Sequence, residues 1–137
     1  MKRAVVVADG RLQVEAVLGA LAAAGFEAVG SASLGEARSQ VEAGAVAVVL
    51  GSSGEAGDPA LAALAGMPAA TRRCCVVVLV GPGLTTGDGM RAFFLGVELV
   101  VAVADTARLG ELVSAAVASK RTLVAPLDPV ASAKLGG

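Results

Sequence analysis

Five short apolar runs limit what this chain of 137 residues can fold into. They are "RAVVVA" at 3–8, a weaker "EAVGSA" at 27–32, "VAVVL" at 46–50, "CCVVVLV" at 74–80 and "ELVVAV" at 98–103. The stronger runs are continuous rather than alternating, and valine dominates them. A strand with one wet face would alternate, so continuous β-branched runs read as strands covered on both faces. The segments between them carry helical signals. Val14, Val17, Leu18 and Leu21 recur at helical spacing within 11–24. Ser33 and Glu36 form a capping box before a helix over 34–43. Asp58-Pro59 reads as an N-cap followed by a proline at the first helical position, opening a helix over about 59–66. The loop "GPGLTTGDG" leads into a helix over about 88–95. Thr106 is placed to cap a last helix carrying Leu109, Leu112, Val113, Ala116 and Val117. Five β/α units follow, and they predict a single doubly wound α/β domain, a parallel sheet with crossover helices on both faces. That domain is expected over residues 1–120. Residues 121–137 hold two prolines and show no helical period after Leu123, so they read as a linker or C-terminal tail.

Charge and hydropathy narrow the partners. Eleven basic and 12 acidic residues give a formal net charge of −1, which makes no electrostatic case for a nucleic acid or a membrane surface. Mean hydropathy is high, at +0.76. Even so, Gly81-Pro82 ends the run 74–80 and Glu98 interrupts the next. Both fall short of the roughly 20 apolar residues of a membrane-spanning helix. The N-terminal "MKRAVVVADGR" loses its apolar character at Asp9, too early for a signal peptide. The chain reads as cytoplasmic. The adjacent Cys74 and Cys75 would point to opposite faces of a strand, where a bond between them would be strained. With no His in the chain they make no zinc set and read as small buried residues.

In an open α/β sheet, ligands and chemistry gather at the carboxyl ends of the strands. Here the third run opens into Ser52-Ser53-Gly54, with no carboxylate, histidine or lysine beside it. A serine hydroxyl without an adjacent base is not an activated nucleophile. The loops "GSSGEAG" and "GPGLTTGDG" lack both the Walker ending and the GxGxxG pattern. No catalytic residue, metal set or cofactor motif stands out, and an enzyme is not expected.

The order and spacing of the units, with "AVVVADGRLQVEAVLGALAAAGFEAVGSAS" and "GVELVVAVAD", resemble the receiver domain of bacterial response regulators, the CheY-like relatives of flavodoxin, over roughly residues 2–120. The resemblance implies a strand order of 2-1-3-4-5. It also locates a phosphorylation site that this chain has lost. The acidic pair after the first strand becomes Ala8 and Asp9, leaving Asp9 as a residual acid. The acceptor aspartate becomes Leu50, or Gly51 with the register shifted by one. The hydroxyl residue becomes Val80 or Gly81, the lysine Val103, the proline after it Ala104, and the switch aromatic Val100. One acid is a poor Mg²⁺ site, and an aliphatic side chain forms no acyl phosphate. The resemblance therefore implies a pseudo-receiver without phosphotransfer, in signal transduction of the two-component system kind.

Two functions stay open. As an interaction module, the chain would use the face that receivers build from the fourth helix, fifth strand and fifth helix, for a protein partner or for self-association. Met90, Arg91, Phe93, Phe94 and Arg108 are the candidates there. Adjacent helical residues diverge by about 100°, which sets one of Phe93 and Phe94 toward the surface, yet a core position for both is the favoured reading. As a small-ligand binder for a nucleotide or cyclic dinucleotide, it would use Asp9, Ser52, Ser53, Thr85 and Thr86.

Overall fold

The computed structural model describes residues 2–55 and 57–136. Five strands form one parallel sheet: β1 (Arg3–Val7), β2 (Glu27–Ser31), β3 (Ala47–Gly51), β4 (Val76–Gly81) and β5 (Leu99–Ala102). Their order is β2-β1-β3-β4-β5, the arrangement of flavodoxin-like α/β proteins. The central register sets Val5 beside Val48, Val48 beside Val77, and Val80 beside Val101. The weak run at 27–32 is β2, an edge strand with exposed and half-buried positions, so it needs fewer apolar residues.

Successive residues of each central strand alternate between two cores. One core lies under α1 (Val14–Ala23) and α6 (Leu109–Val124) and holds Val6, Val49, Val78 and Val101. The other lies under α2 (Leu34–Glu42), α3 (Pro59–Ala65) and α5 (Gly89–Leu95) and holds Val5, Val48, Leu50 and Leu79. Both faces are covered, so both sets of alternate residues are apolar. That is why the runs are continuous. Val6, Val48, Val78 and Val101 are fully buried, as expected.

Local signals act as the sequence suggests. The Glu36 N–H donates to Ser33 Oγ at 3.2 Å, and Glu36 Oε2 accepts from the Ala32 N–H, one residue before the cap. Asp58 accepts from the Ala60 N–H at 2.9 Å and starts α3. No helix among the described residues is long and apolar enough to cross a membrane.

Four expectations are corrected. A short helix, α4 (Ala69–Arg73), follows Pro68 just ahead of β4. As a result Cys74 and Cys75 precede the strand; Cys75 is buried but Cys74 only half-buried. Thr106 caps nothing: it lies in a 3-10 helix, Val103–Arg108, and its hydroxyl donates to the Val103 carbonyl. α6 starts beyond it at Leu109, which is drawn into the core. Finally, the segment expected to be a linker or C-terminal tail is largely helical over the described residues 121–136. α6 continues to Val124, and α7 (Pro129–Gly136) folds back against it with Ala131 and Leu135 fully buried. Asp128 accepts from the Ala131 N–H at 3.0 Å and pairs with Arg73 at 2.9 Å, which fixes the start of α7.

Candidate functional site

The carboxyl ends of the strands are filled. β3 finishes with Leu50 turned into the core and Gly51 against the β1–α1 loop. A Cβ on Gly51 would lie 2.7 Å from Arg11 Cβ and 2.8 Å from the Arg11 carbonyl oxygen. A Cβ on Gly81, at the end of β4, would collide with the Ser52 carbonyl oxygen. The Ser52 N–H donates to the Val80 carbonyl at 3.0 Å, which draws the two strand ends together. At both glycines the neighbours are backbone atoms or, for Gly51, the Cβ fixed to the Arg11 backbone, and neither can swing aside as the far end of a flexible side chain can. Val80 and Val100 are buried, whereas Val103 is partly exposed.

Asp58 lies at the centre of this arrangement. Both Arg11 terminal nitrogens donate to it, Nη1 to Oδ1 at 2.7 Å and Nη2 to Oδ2 at 2.6 Å, a bidentate pair. The Asp58 side chain is completely buried. It also accepts from the Ser52 hydroxyl at 2.8 Å, the Ser53 N–H at 3.0 Å and the Ser53 hydroxyl at 3.3 Å. The Arg11 guanidinium holds the Asp58 carboxyl far below the usual carboxylate range, and the N–H and hydroxyl donors add to this against the opposing effect of burial. Asp58 in turn raises the pKa of Arg11. Local sequence assigns Asp58 only the role of a helix cap. Its second role needs Arg11, 47 positions away, and no local pattern signals that partnership.

The five residues expected to line a ligand pocket are largely occupied with internal bonds. Asp9 is exposed and accepts from the Arg11 N–H at 3.2 Å, a local turn. Ser52 is buried between Asp58 and the Gly54 N–H. Ser53 binds Asp58 and receives the Glu55 N–H. Thr86 Oγ1 accepts from the Ala102 N–H at 2.9 Å and donates to Asp105 at 2.6 Å, tying the β4–α5 loop along β5. Thr85 is exposed. A cavity of about 280 Å³ lies to one side, lined by Leu12, Val17, Val80 and Val103 rather than by these five.

The helix α5 presents the opposite picture. Asp88 caps it by accepting the Arg91 N–H at 3.1 Å, and Gly96, at φ 73°, ends it in the left-handed conformation. Only Ala92 is buried, with Leu95 half-buried. Met90, Phe93 and Phe94 are 79, 84 and 71% exposed. A core position for either phenylalanine is thus corrected: in so short a helix, Ala92 and Leu95 take the inward face. Arg91 is not a free rim charge, because its Nη2 donates to the Gly54 carbonyl at 2.6 Å. Arg108 is exposed at the head of α6, paired with Glu111 at 3.0 Å.

A groove of about 420 Å³ between α6 and the start of β5 went unread in the sequence. Leu99, Leu112, Ala116 and Leu123 line it, and helical periodicity alone assigns Leu112 and Ala116 to the core. Lys120 lies in its wall, donating to Glu98 and to the carbonyls of Arg72 and Cys75. Burial pushes the Cys75 thiol up to about 11. Among the described residues, no group of three or more His, Cys, Asp or Glu side chains is placed to hold a metal ion.

Comparison with known proteins returns no matching family model, no matching curated protein and no matching solved structure. The fold itself defines the class, a five-stranded flavodoxin-like α/β domain.

Proposed function

We propose that this chain is a receiver-like domain that works without phosphorylation, as a protein–protein interaction module in bacterial signalling or regulation in the cytoplasm. The observation that carries the reading is the α5 surface, where three large apolar side chains, Met90, Phe93 and Phe94, stand in solvent. Large apolar groups clustered on one helix mark docking sites more often than chance, and aromatics dominate the energetic centres of interfaces. The strand ends support the same reading from the other side. The acceptor position is a core leucine or a glycine without room for a side chain, and Asp58 is engaged by Arg11. Docking would use α5, β5 and α6, for a partner protein or a second copy.

The test compares the wild type with Phe93→Ala and Phe94→Ala, and with Asp9→Asn and Thr85→Ala. Sedimentation over a concentration range reads self-association, and co-purification from the native host reads partners. Loss of association in the α5 variants alone supports the module. If the Asp9 and Thr85 changes abolish association and the α5 changes do not, the small-ligand reading replaces it.

A further inference from the structure

The β3–α3 loop is held from two sides. From the β1–α1 loop, Arg11 grips Asp58 through both carboxylate oxygens, at 2.7 and 2.6 Å. From α5, Arg91 reaches across and donates to the Gly54 carbonyl at 2.6 Å. Between the two grips, Ser52, Ser53 and Gly54 are hydrogen-bonded to Asp58 or to one another. Asp58 takes the Ser52 hydroxyl and the Ser53 N–H, and Ser52 Oγ takes the Gly54 N–H. Gly54 is buried against Leu84 and turns at φ 76°, and a Cβ there would lie 2.6 Å from Leu84 Cδ2. Leu84 belongs to the β4–α5 loop, directly upstream of the helix with the exposed aromatics. The bonded path therefore runs from Arg11 through Asp58, Ser52 and Gly54 to Arg91.

α5 is tied at its ends, where the Gly87 N–H donates to the Val100 carbonyl at 3.0 Å and Arg72 donates to the Gly96 carbonyl at 2.8 Å, but its body is lightly held. It is seven residues long and has one fully buried side chain. Hydrogen bonds made by a buried or half-buried arginine to a carbonyl are among the stronger single ties available to such a helix. We infer that the Arg11–Asp58 pair and the Arg91–Gly54 bond form one clamp, which fixes the position of α5 and so sets the docking face from the opposite end of the β3–α3 loop. Arg11, Asp58 and Arg91 act as positioning residues, because none of them need touch a partner. The inference deepens the docking reading. Its test uses the isolated protein, so the two can fail separately.

Hydrogen exchange read residue by residue tests it. In Asp58→Asn, amides of 53–55 and of 91–95 should exchange at least roughly tenfold faster than in the wild type, and by a clearly larger factor than those of α2 (34–42). Coupling is reciprocal, so Arg91→Ala should loosen 53–55 and the Arg11 region in turn, and Arg91→Lys should restore part of the protection. Arg91→Ala also keeps the inference testable if Asp58→Asn does not fold. Faster exchange at 53–55 with α5 unchanged would overturn the clamp. Acceleration in α2 by the same factor as in α5 would also overturn it, because the pair would then be holding the whole fold rather than positioning one helix.

Discussion

The ends of β3 and β4 and the surface of α5 lie on either side of one loop, yet they treat their polar and apolar groups in opposite ways. At the strand ends a buried carboxylate has five hydrogen-bonding groups around it, and glycines stand where no side chain fits. On α5 the largest apolar side chains of the region, Met90, Phe93 and Phe94, stand exposed. In a fold of this kind the first place is where ligands usually bind. Here it is internally satisfied, and the unsatisfied surface lies beside it. A site most of whose donors and acceptors are consumed has little left to offer a ligand, whereas exposed aromatics gain from being covered.

The strongest way to break this contrast is to force a side chain into the packed end. Gly81→Val would drive a Cβ into the Ser52 carbonyl, where backbone must move. We expect a loss of more than about 4 kcal/mol in urea unfolding, in the range reached only by severe core disruption. Gly51→Asp, which restores the acceptor residue in the shifted register, should also destabilise the protein and give no acetyl-phosphate labelling in intact-mass analysis. A stable, labelled Gly51→Asp protein would defeat the claim that the site is filled.

Next in size is the ion pair. Arg11→Ala leaves Asp58 buried without its main partner and should cost about 3–5 kcal/mol. Arg11→Ala combined with Asp58→Ala should cost less than Arg11→Ala alone, since the stranded charge is gone. The pH dependence follows from the same carboxylate. Its folded pKa is depressed, so its contribution is fully present above the unfolded value of about 4 and falls away as the pH drops toward the folded one. Stability should be insensitive to this group between pH 7 and 5. It should then decline more steeply below about pH 4 in the wild type than in Asp58→Asn.

The sheet was legible in the sequence because burial on both faces writes a continuous pattern that no other element explains, as Val46–Leu50 shows. The filled site was not legible. The strand-end vacancy is visible in Leu50 and Gly51, but what occupies it is a contact between Arg11 and Asp58 across two loops. The tail was misread for a different reason. Asp128-Pro129 repeats the Asp58-Pro59 signal that opens α3, but the eight-residue helix it starts is too short to show a helical period after Leu123. Leu135→Ala tests this correction: with the side chain fully buried, it should cost about 2–5 kcal/mol, whereas a linker residue would cost almost nothing.

The smallest expected effect on stability falls on the α5 surface, and it sharpens the comparison most. Phe93 and Phe94 are 84 and 71% exposed, so truncating either removes little buried area from the folded chain. Phe93→Ala and Phe94→Ala should each stay within about 0.5 kcal/mol of the wild type in denaturant unfolding. If these side chains are interface anchors, the same changes should weaken association by more than about 2 kcal/mol, roughly thirtyfold in Kd. The two measurements together separate the possibilities. A large stability loss would mean that the phenylalanines belong to a core after all. Unchanged stability with unchanged association would mean that the exposed surface serves no contact, and the interaction reading would fall with it.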